Sequence, residues 1–380
     1  MKRNKNNIFK LIILLMAGSC FYEQAAAQGE GMGYTSYYFT DSGGNSVTTN
    51  AFNLAKKIFE KTVLLLDLEV DNVFVPPISA VTGATRPQRQ SNKPFEKTRG
   101  QAIVGIEQAI GDNNALAVNL YRSQEVDYVS NSIIGTLTRE FNQKNSKLSL
   151  RGQFIDDRVG KILDDGGIIN RKKWSMLGFA SFSQILSPTA VLDLTYDMLL
   201  QQGYLSDPYR QVKVFDQNNA FTATDELHPD SRLRHAVTSN LNQLMPSIKA
   251  SLRGSYRYYF DDWDVSSHTV DFQFSKYIVN DLITRFNYRY YTQTGTFFYF
   301  ERYVGNSFLS TEFRTADYKL QAFNSNNFGL SLTYLFRGLA ESNPDFGFLE
   351  NSTIELRFFR YFNTLDFSAN IYQLNVNFGI

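Results

Sequence analysis

The sequence predicts an all-β fold, a transmembrane antiparallel up-and-down β-barrel of about 14 strands, with about 16 as the alternative count, following a cleaved signal peptide. Three observations predict it. Residues 247–299 alternate apolar and polar side chains through three consecutive segments, setting Ile248, Leu252, Tyr256, Tyr258 and Phe260 against Lys249, Arg253 and Arg257, Val270 and Phe272 against Asp271 and Gln273, and Phe286, Tyr288 and Tyr290 against Arg285 and Arg289. Strand side chains alternate faces with period two, so each segment has one oily and one charged face. Beyond the N-terminus no apolar run approaches the ~18 residues of a spanning helix, and a bilayer is otherwise crossed only by a closed sheet. The 22 Tyr and 32 Phe suit a barrel with aromatic girdles at both interfaces.

The chain opens with Lys2, Arg3, Lys5 and Lys10, an apolar run over residues 11–18, and Ala25-Ala26-Ala27 before Gln28. This is the pattern of a secretory signal peptide, with cleavage expected after Ala27. A competing reading makes Cys20 a lipidated N-terminus. Cys20 is the only cysteine, so cleavage at Ala27 leaves no thiol and excludes disulfide chemistry. Loss of residues 1–27 leaves 34 of 38 basic and 36 of 37 acidic residues, a net charge of −2 that gives no reason to expect nucleic acid as a partner.

Taken in order, residues 28–61 read as a periplasmic lead-in with a hairpin as the alternative, because NAFNLAKKIFEK is mildly helical in pattern. The barrel is expected over 62–380, beginning with strand 62–72, in which Leu64, Leu66, Leu68 and Val70 oppose Asp67 and Glu69. Pro76, Pro77, Gly83, Pro87 and Pro94 make 73–97 a long loop. Strands 99–110 and 115–122 flank the turn Gly111-Asp112-Asn113-Asn114, and 133–141 and 147–157 flank Asn142 to Asn145. Strands 173–186 and 190–201 hinge at Ser187-Pro188, and 234–243 and 248–260 at Leu244-Met245-Pro246. Three further connections, 158–172, 202–232 and 294–324, are longer, which is the loop asymmetry of outer-membrane barrels. Strands 326–336 and 352–361 follow. The last strand, with Tyr372, Leu374, Val376, Phe378 and Ile380 in phase, resembles the signal read by the barrel assembly machinery and puts both termini in the periplasm.

Parity places Arg253, Arg257, Asp271, Arg285 and Arg289 in the lumen, where they either pair and stiffen the wall or line a hydrated pore that attracts anions. Between two strands, Asp261, Asp262 and Asp264 precede Ser266, Ser267 and His268. Ser267, His268 and Asp264 supply the residue types of a hydrolase at the barrel rim, since a hydroxyl needs a base and the base an orienting carboxylate; adjacent strand residues face oppositely, which counts against it. Asp261, Asp262 and Asp264 offer hard oxygen donors for calcium but lack the spaced ligands of a dedicated loop. His228, His235 and His268 have no metal-ligand spacing, and no cofactor motif is present.

The blocks GYLSDPYR (203–210), RYYFDDWDVSSHT (257–269), RYYTQTGTFFY (289–299) and AVTGATR (80–86) resemble those of an outer-membrane β-barrel family described only as a domain of unknown function. The resemblance implies a barrel with no established activity and gathers Asp207, Tyr209, Arg210, Asp261, Asp262, Asp264 and His268 at an extracellular rim. The expectation is an outer-membrane channel or uptake and binding protein for small solutes, with outer-membrane lipid, the assembly machinery and a small-molecule solute as partners and no cofactor. Alternatives are a rim hydrolase acting on lipid or ester, and a closed structural barrel that partners envelope proteins.

Overall fold

In the computed structural model residues 30–76, 95–163 and 166–379 are described; the expected signal peptide with Cys20, the block 80–86 and Ile380 lie outside them. Among the described residues sixteen antiparallel strands close into one barrel. They are β1 (Gly31–Asp41), β2 (Ser46–Phe59), β3 (Thr62–Val75), β4 (Phe95–Ile110), β5 (Asn114–Gln124), β6 (Tyr128–Phe141), β7 (Ser146–Ile162), β8 (Ile168–Ser187) and β9 (Ala190–Gly203), then β12 (Ser231–Met245), β13 (Ala250–Asp261), β14 (Ser266–Val279), β15 (Leu282–Gln293), β17 (Phe323–Leu335), β18 (Thr353–Asn363) and β19 (Ser368–Gly379). Three short strands, β10 (Gln211–Phe215), β11 (Phe221–Asp225) and β16 (Tyr303–Val304), form a separate sheet in the order β11-β10-β16.

The count is 16, the alternative to 14, and the hairpin alternative for 28–61 supplies the extra pair: residues 31–59 are wall, not a lead-in. β1 pairs with β19 from Gly31↔Gly379 to Asp41↔Ala369 and with β2 on its other side, so this hairpin is what closes the sheet. Side chains reinforce the seam, with Thr35 Oγ1 donating to Asn375 Oδ1 at 2.9 Å and Tyr34 OH to Asn50 Oδ1 at 2.7 Å. Closure satisfies every ladder group, as lipid requires. The outward face is apolar around the ring: Leu68, Val104, Leu120, Phe154, Tyr256, Phe272, Leu330 and Leu356 are all exposed.

Four connections share one local device. Asp41, Asp216, Asp261 and Asn363 each accept, through Oδ1, the backbone N–H groups two and four residues on. The position after the first of those donors is left-handed in each: Gly44 (φ 77°), Asn219 (φ 65°), Asp264 (φ 63°) and Asp366 (φ 54°). Asn, Asp and Gly are the residues that accept that backbone, and the Asx side chain pre-shapes the turn.

The two rims differ. At the rim carrying both ends of the described chain the connections are short, apart from residues 336–352 with helix α1 (Arg337–Ser342). At the other rim lie 204–230 and 294–322, the latter a shaped segment containing β16 and short helical turns. The expected long loop 158–172 is instead strand at both ends, leaving only 163–167 between β7 and β8.

Because β1 and β2 are the closing hairpin, deleting residues 31–59 should abolish the heat-modifiable folded barrel on a semi-native gel. A lead-in would be removed without that loss, so retention of the folded band would contradict the seam.

Candidate functional site: a cap locked across one rim

Segments 204–230 and 294–322 fold together over the long-loop rim. The first leaves the wall at Gly203, where φ is 107° and a Cβ would lie 2.5 Å from the Lys172 carbonyl oxygen, so only glycine fits. Tyr204 N–H then bonds Lys172 O at 3.0 Å, and the Arg171 guanidinium lies 4.4 Å from the Tyr204 ring centre. β10 pairs antiparallel with β11 and parallel with β16 of the second segment, and Leu227 exchanges two backbone hydrogen bonds with Arg314. Arg314 Nε also donates to Asp225 O at 2.9 Å.

Charge is buried at this joint. Arg210 Nη1 stands 2.8 Å from Asp317 Oδ2 and its Nε 3.6 Å from Asp207 Oδ2, with the Asp207 side chain 1% exposed. Glu226 accepts Thr315 Oγ1–H at 2.8 Å and Ala316 N–H at 2.7 Å, and its other oxygen accepts Asp207 N–H at 3.3 Å. His228 Nδ1 lies 3.1 Å from Leu205 O, while its ring meets Trp263 and Phe298 with centroids 5.4 and 5.3 Å away. Buried charges persist only where partners replace water: Glu226 and Asp317 each have several, while Asp207 accepts Tyr209 N–H at Oδ1 and faces Arg210 with Oδ2.

The wall holds the cap from many sides. Trp263 donates Nε1–H to Ser231 O at 2.9 Å, lies under the Arg232 guanidinium at 4.2 Å, and accepts Thr296 Oγ1–H at its carbonyl at 2.8 Å. Arg232 in turn bonds Asp261. Gln293, on the lumen face of β15, donates to Lys319 O and Gln321 O, both at 2.7 Å. Far around the ring, Tyr209 OH donates to Asp127 Oδ2 at 2.6 Å and accepts Ile162 N–H at 3.0 Å, and Lys161 pairs with Asp225 at 2.7 Å. In the opposite direction Tyr318 packs on the cluster of Phe39, Phe367 and Ala369 from β1, β19 and the turn before it. The cap therefore spans the mouth from the turn between β5 and β6, and from β7, to β1 and β19.

Of the residues expected at the rim, Asp207 and Arg210 meet in this lock, Tyr209 anchors the first segment on Asp127, and Asp261 holds Arg232 beside Trp263. Asp262 and Asp264 stay in the 262–265 turn, where Asp264 occupies the left-handed position. His268 is elsewhere: it points to the outer face, its Nδ1 2.7 Å from Tyr256 OH and its ring against Tyr258, in a band with Tyr196, His235 and Phe260. Ser267 is 4% exposed and faces inward. The rim-hydrolase set Ser267, His268 and Asp264 is thus not assembled, because neighbouring strand residues take opposite faces. The calcium trio is not assembled either, since Asp261 is occupied by Arg232, Tyr259 and two backbone N–H groups, and among the described residues no three metal-binding side chains converge.

In the lumen Arg285 and Arg357 share Glu355, each at 2.6 Å, and Arg289 takes Asp271 at 2.5 Å. Arg253 has a 3.4 Å bond to Asn240 Oδ1. Of the inward charges, Arg285, Arg289 and Arg357 pair with carboxylates, while Arg253 remains exposed.

Sequence reasoning missed Glu226, Thr315, Asp317, Phe298 and the role of His228. A signal existed for one half of the cap, because DQNNA (216–220) repeats the turn pattern of DSGGN and DDWDV between two short alternating runs.

The sequence model of a family described as "Protein of unknown function (DUF3570)" matches residues 42–170 and 167–353. No curated protein matches the chain. Among solved structures it is similar to a bacterial polysaccharide outer membrane secretin (8% identity, TM-score 0.51, 93% of this chain and 99% of that one). It is also similar to the outer membrane protein OpdK of Pseudomonas aeruginosa (9%, TM-score 0.43, 91% and 97%) and the siderophore receptor PirA of Acinetobacter baumannii (9%, TM-score 0.46, 88% and 52%). The chain spans about half the length of that receptor. The fold is that of outer-membrane barrels.

Truncating Arg210 to Met leaves Asp317 and Asp207 without their cation, a change that costs about 3–5 kcal/mol for a buried pair. Amides of β10, β11 and β16 should then lose hydrogen-exchange protection while those of β12–β15 keep theirs; equal protection of the short strands in both proteins would refute the lock.

Burial raises the Asp207 carboxyl to about 6 and raises Glu226 as well, so both favour the closed cap when protonated, a contribution lost as pH rises through those values. Burial lowers the His228 imidazole to about 4, so its contribution is full above the ordinary imidazole value of ~6.5 and is lost as pH falls. Burial pushes Asp317 up, but Arg210 and Lys319 hold it at about 2, charged throughout. The opposing contributions flatten the response of the native cap between pH 7 and 5. His228→Gln removes one of them, so its cap should tighten more steeply as pH falls across that window, read as slower proteolysis of residues 204–230; identical slopes in both proteins would contradict the assignment.

Proposed function

We propose that this chain, which belongs to the family described as "Protein of unknown function (DUF3570)", is an outer-membrane channel for uptake of small solutes whose mouth is held shut by the cap and opens by its displacement. The observation that carries this reading is the pairing of a buried, multiply anchored lock over the mouth with a lumen whose charged side chains remain open to water: the Arg289 and Asp271 side chains are 45% and 33% exposed inside the wall. A barrel meant only as a scaffold gains nothing from a lumen lined with hydrated charge, whereas a solute path needs one. Sixteen strands leave room for such a path. The long-loop rim faces the exterior and both termini face the periplasm, in the arrangement of outer-membrane barrels.

Purified protein in planar bilayers should show rare, brief openings, and Arg210→Met should raise the open fraction many-fold without changing the barrel's folded band. A folded Arg210→Met barrel that never conducts would overturn the channel reading.

A further inference from the structure

Pairing of β13, β14, β15, β17 and β18 puts five arginines on one arc of the lumen wall, Arg253 and Arg257 on β13, Arg285 and Arg289 on β15 and Arg357 on β18. Asp271 and Glu355 stand among them, and their ion pairs go to Arg289, Arg285 and Arg357. Arg253 and Arg257 have no carboxylate within ion-pair distance among the described residues; Arg253 reaches only Asn240, and Arg257 is electrostatically coupled to Asp197 of β9. The two lie four residues apart on one face, about 13 Å along the strand. The side chains paired directly opposite them are neutral hydrogen-bonding groups, Asn242 and Gln273 for Arg253 and Thr238 and Thr269 for Arg257, while Asp271, opposite Ser255 between the two, is held by Arg289.

The facing wall has the other sign. β3 lies eight strands round from β13 in either direction, diametrically across the ring. Its lumen face carries Asp67 together with Glu69 and Asp71, which share the single guanidinium of Arg99. An anion in the lumen is therefore pushed from one wall and drawn to the other, and low-dielectric walls concentrate that field. Guanidinium groups paired with neutral hydrogen-bonding side chains match carboxylate and phosphate oxygens, which accept from both.

We infer that Arg253 and Arg257 form an anion-binding step in the lumen, and that the solutes admitted are small molecules bearing a carboxylate or phosphate group. The inference rests on the channel reading, so its test is arranged to fail separately. In the Arg210→Met background, reversal potentials in a potassium chloride gradient should show chloride preferred over potassium. Arg253→Ser with Arg257→Ser, which extends the serine already at 251 and 255, should lower that preference at least about threefold, while Arg253→Lys with Arg257→Lys preserves it. Added inorganic phosphate or acetate should block the chloride current; stronger block by phosphate assigns phosphorylated solutes, and stronger block by acetate assigns carboxylates. Conductance with equal permeation of both ions, a preference unchanged in the double serine variant, or block by neither anion overturns the inference and leaves the channel standing. A barrel that never conducts is read by equilibrium dialysis of labelled phosphate against the detergent-solubilised protein. Uptake abolished by the double serine substitution supports the site without the channel, and no uptake, or uptake that survives the substitution, overturns the site as well.

Discussion

Everything in this structure depends on closure of the sheet between β1 and β19. In a bilayer an unpaired strand edge leaves several backbone donors and acceptors without water, each at a cost of several kcal/mol, so a spanning sheet has no partial solution. The eleven register pairs from Gly31↔Gly379 to Asp41↔Ala369 remove both edges at once. The seam also places Phe39 and Phe367 inside the long-loop rim, where Tyr318 packs. Closing the wall and anchoring the cap are therefore one event: the farthest foothold of the second cap segment exists only when the first and last strands have met.

The cap solves a different problem. Two segments separated by about sixty residues of wall must lie together above the lumen, sharing a small apolar cluster of Val212 and Val214 with Tyr303, Phe308 and Leu309. A small three-stranded sheet supplies backbone pairing, and Arg210 holds acids from both segments at one point. Such a joint is firm while all partners are present and fails when one is removed, since each carboxylate left behind is buried. Burial shifts Asp207 and His228 in opposite directions, so their contributions to the closed cap oppose each other as pH changes.

The wall strands were legible because each charged lumen residue alternates with an apolar outer one, as Arg253, Arg257, Arg285 and Arg289 do with Leu252, Tyr256, Phe286 and Tyr288. β1 and β2 were not. In β1 Tyr34 and Tyr38 face out while Tyr37 and Phe39 face in, so hydrophobicity does not alternate. In β2 the spacing of Phe52, Ala55 and Phe59 imitates a helix, and a bulge between Lys57 and Phe59 breaks the period. The rim was legible as blocks, and of its residues Asp207 and Arg210 are in contact there. His268 departs because it is one residue removed from Ser267 on a strand, and that single step carries it to the outer face.

Local order alone determined that this chain makes alternating strands with Asx-closed turns, and hence a membrane barrel, because side-chain parity and turn chemistry act over a few residues. Tertiary structure decided how many strands close the ring, which carboxylates Arg210 holds and which arginines stay without one. Those outcomes bring together residues as distant as Gly31 and Gly379, or Arg210 and Asp317, and pairing across such separations is set by closure of the whole sheet. No stretch of sequence carries that geometry within itself.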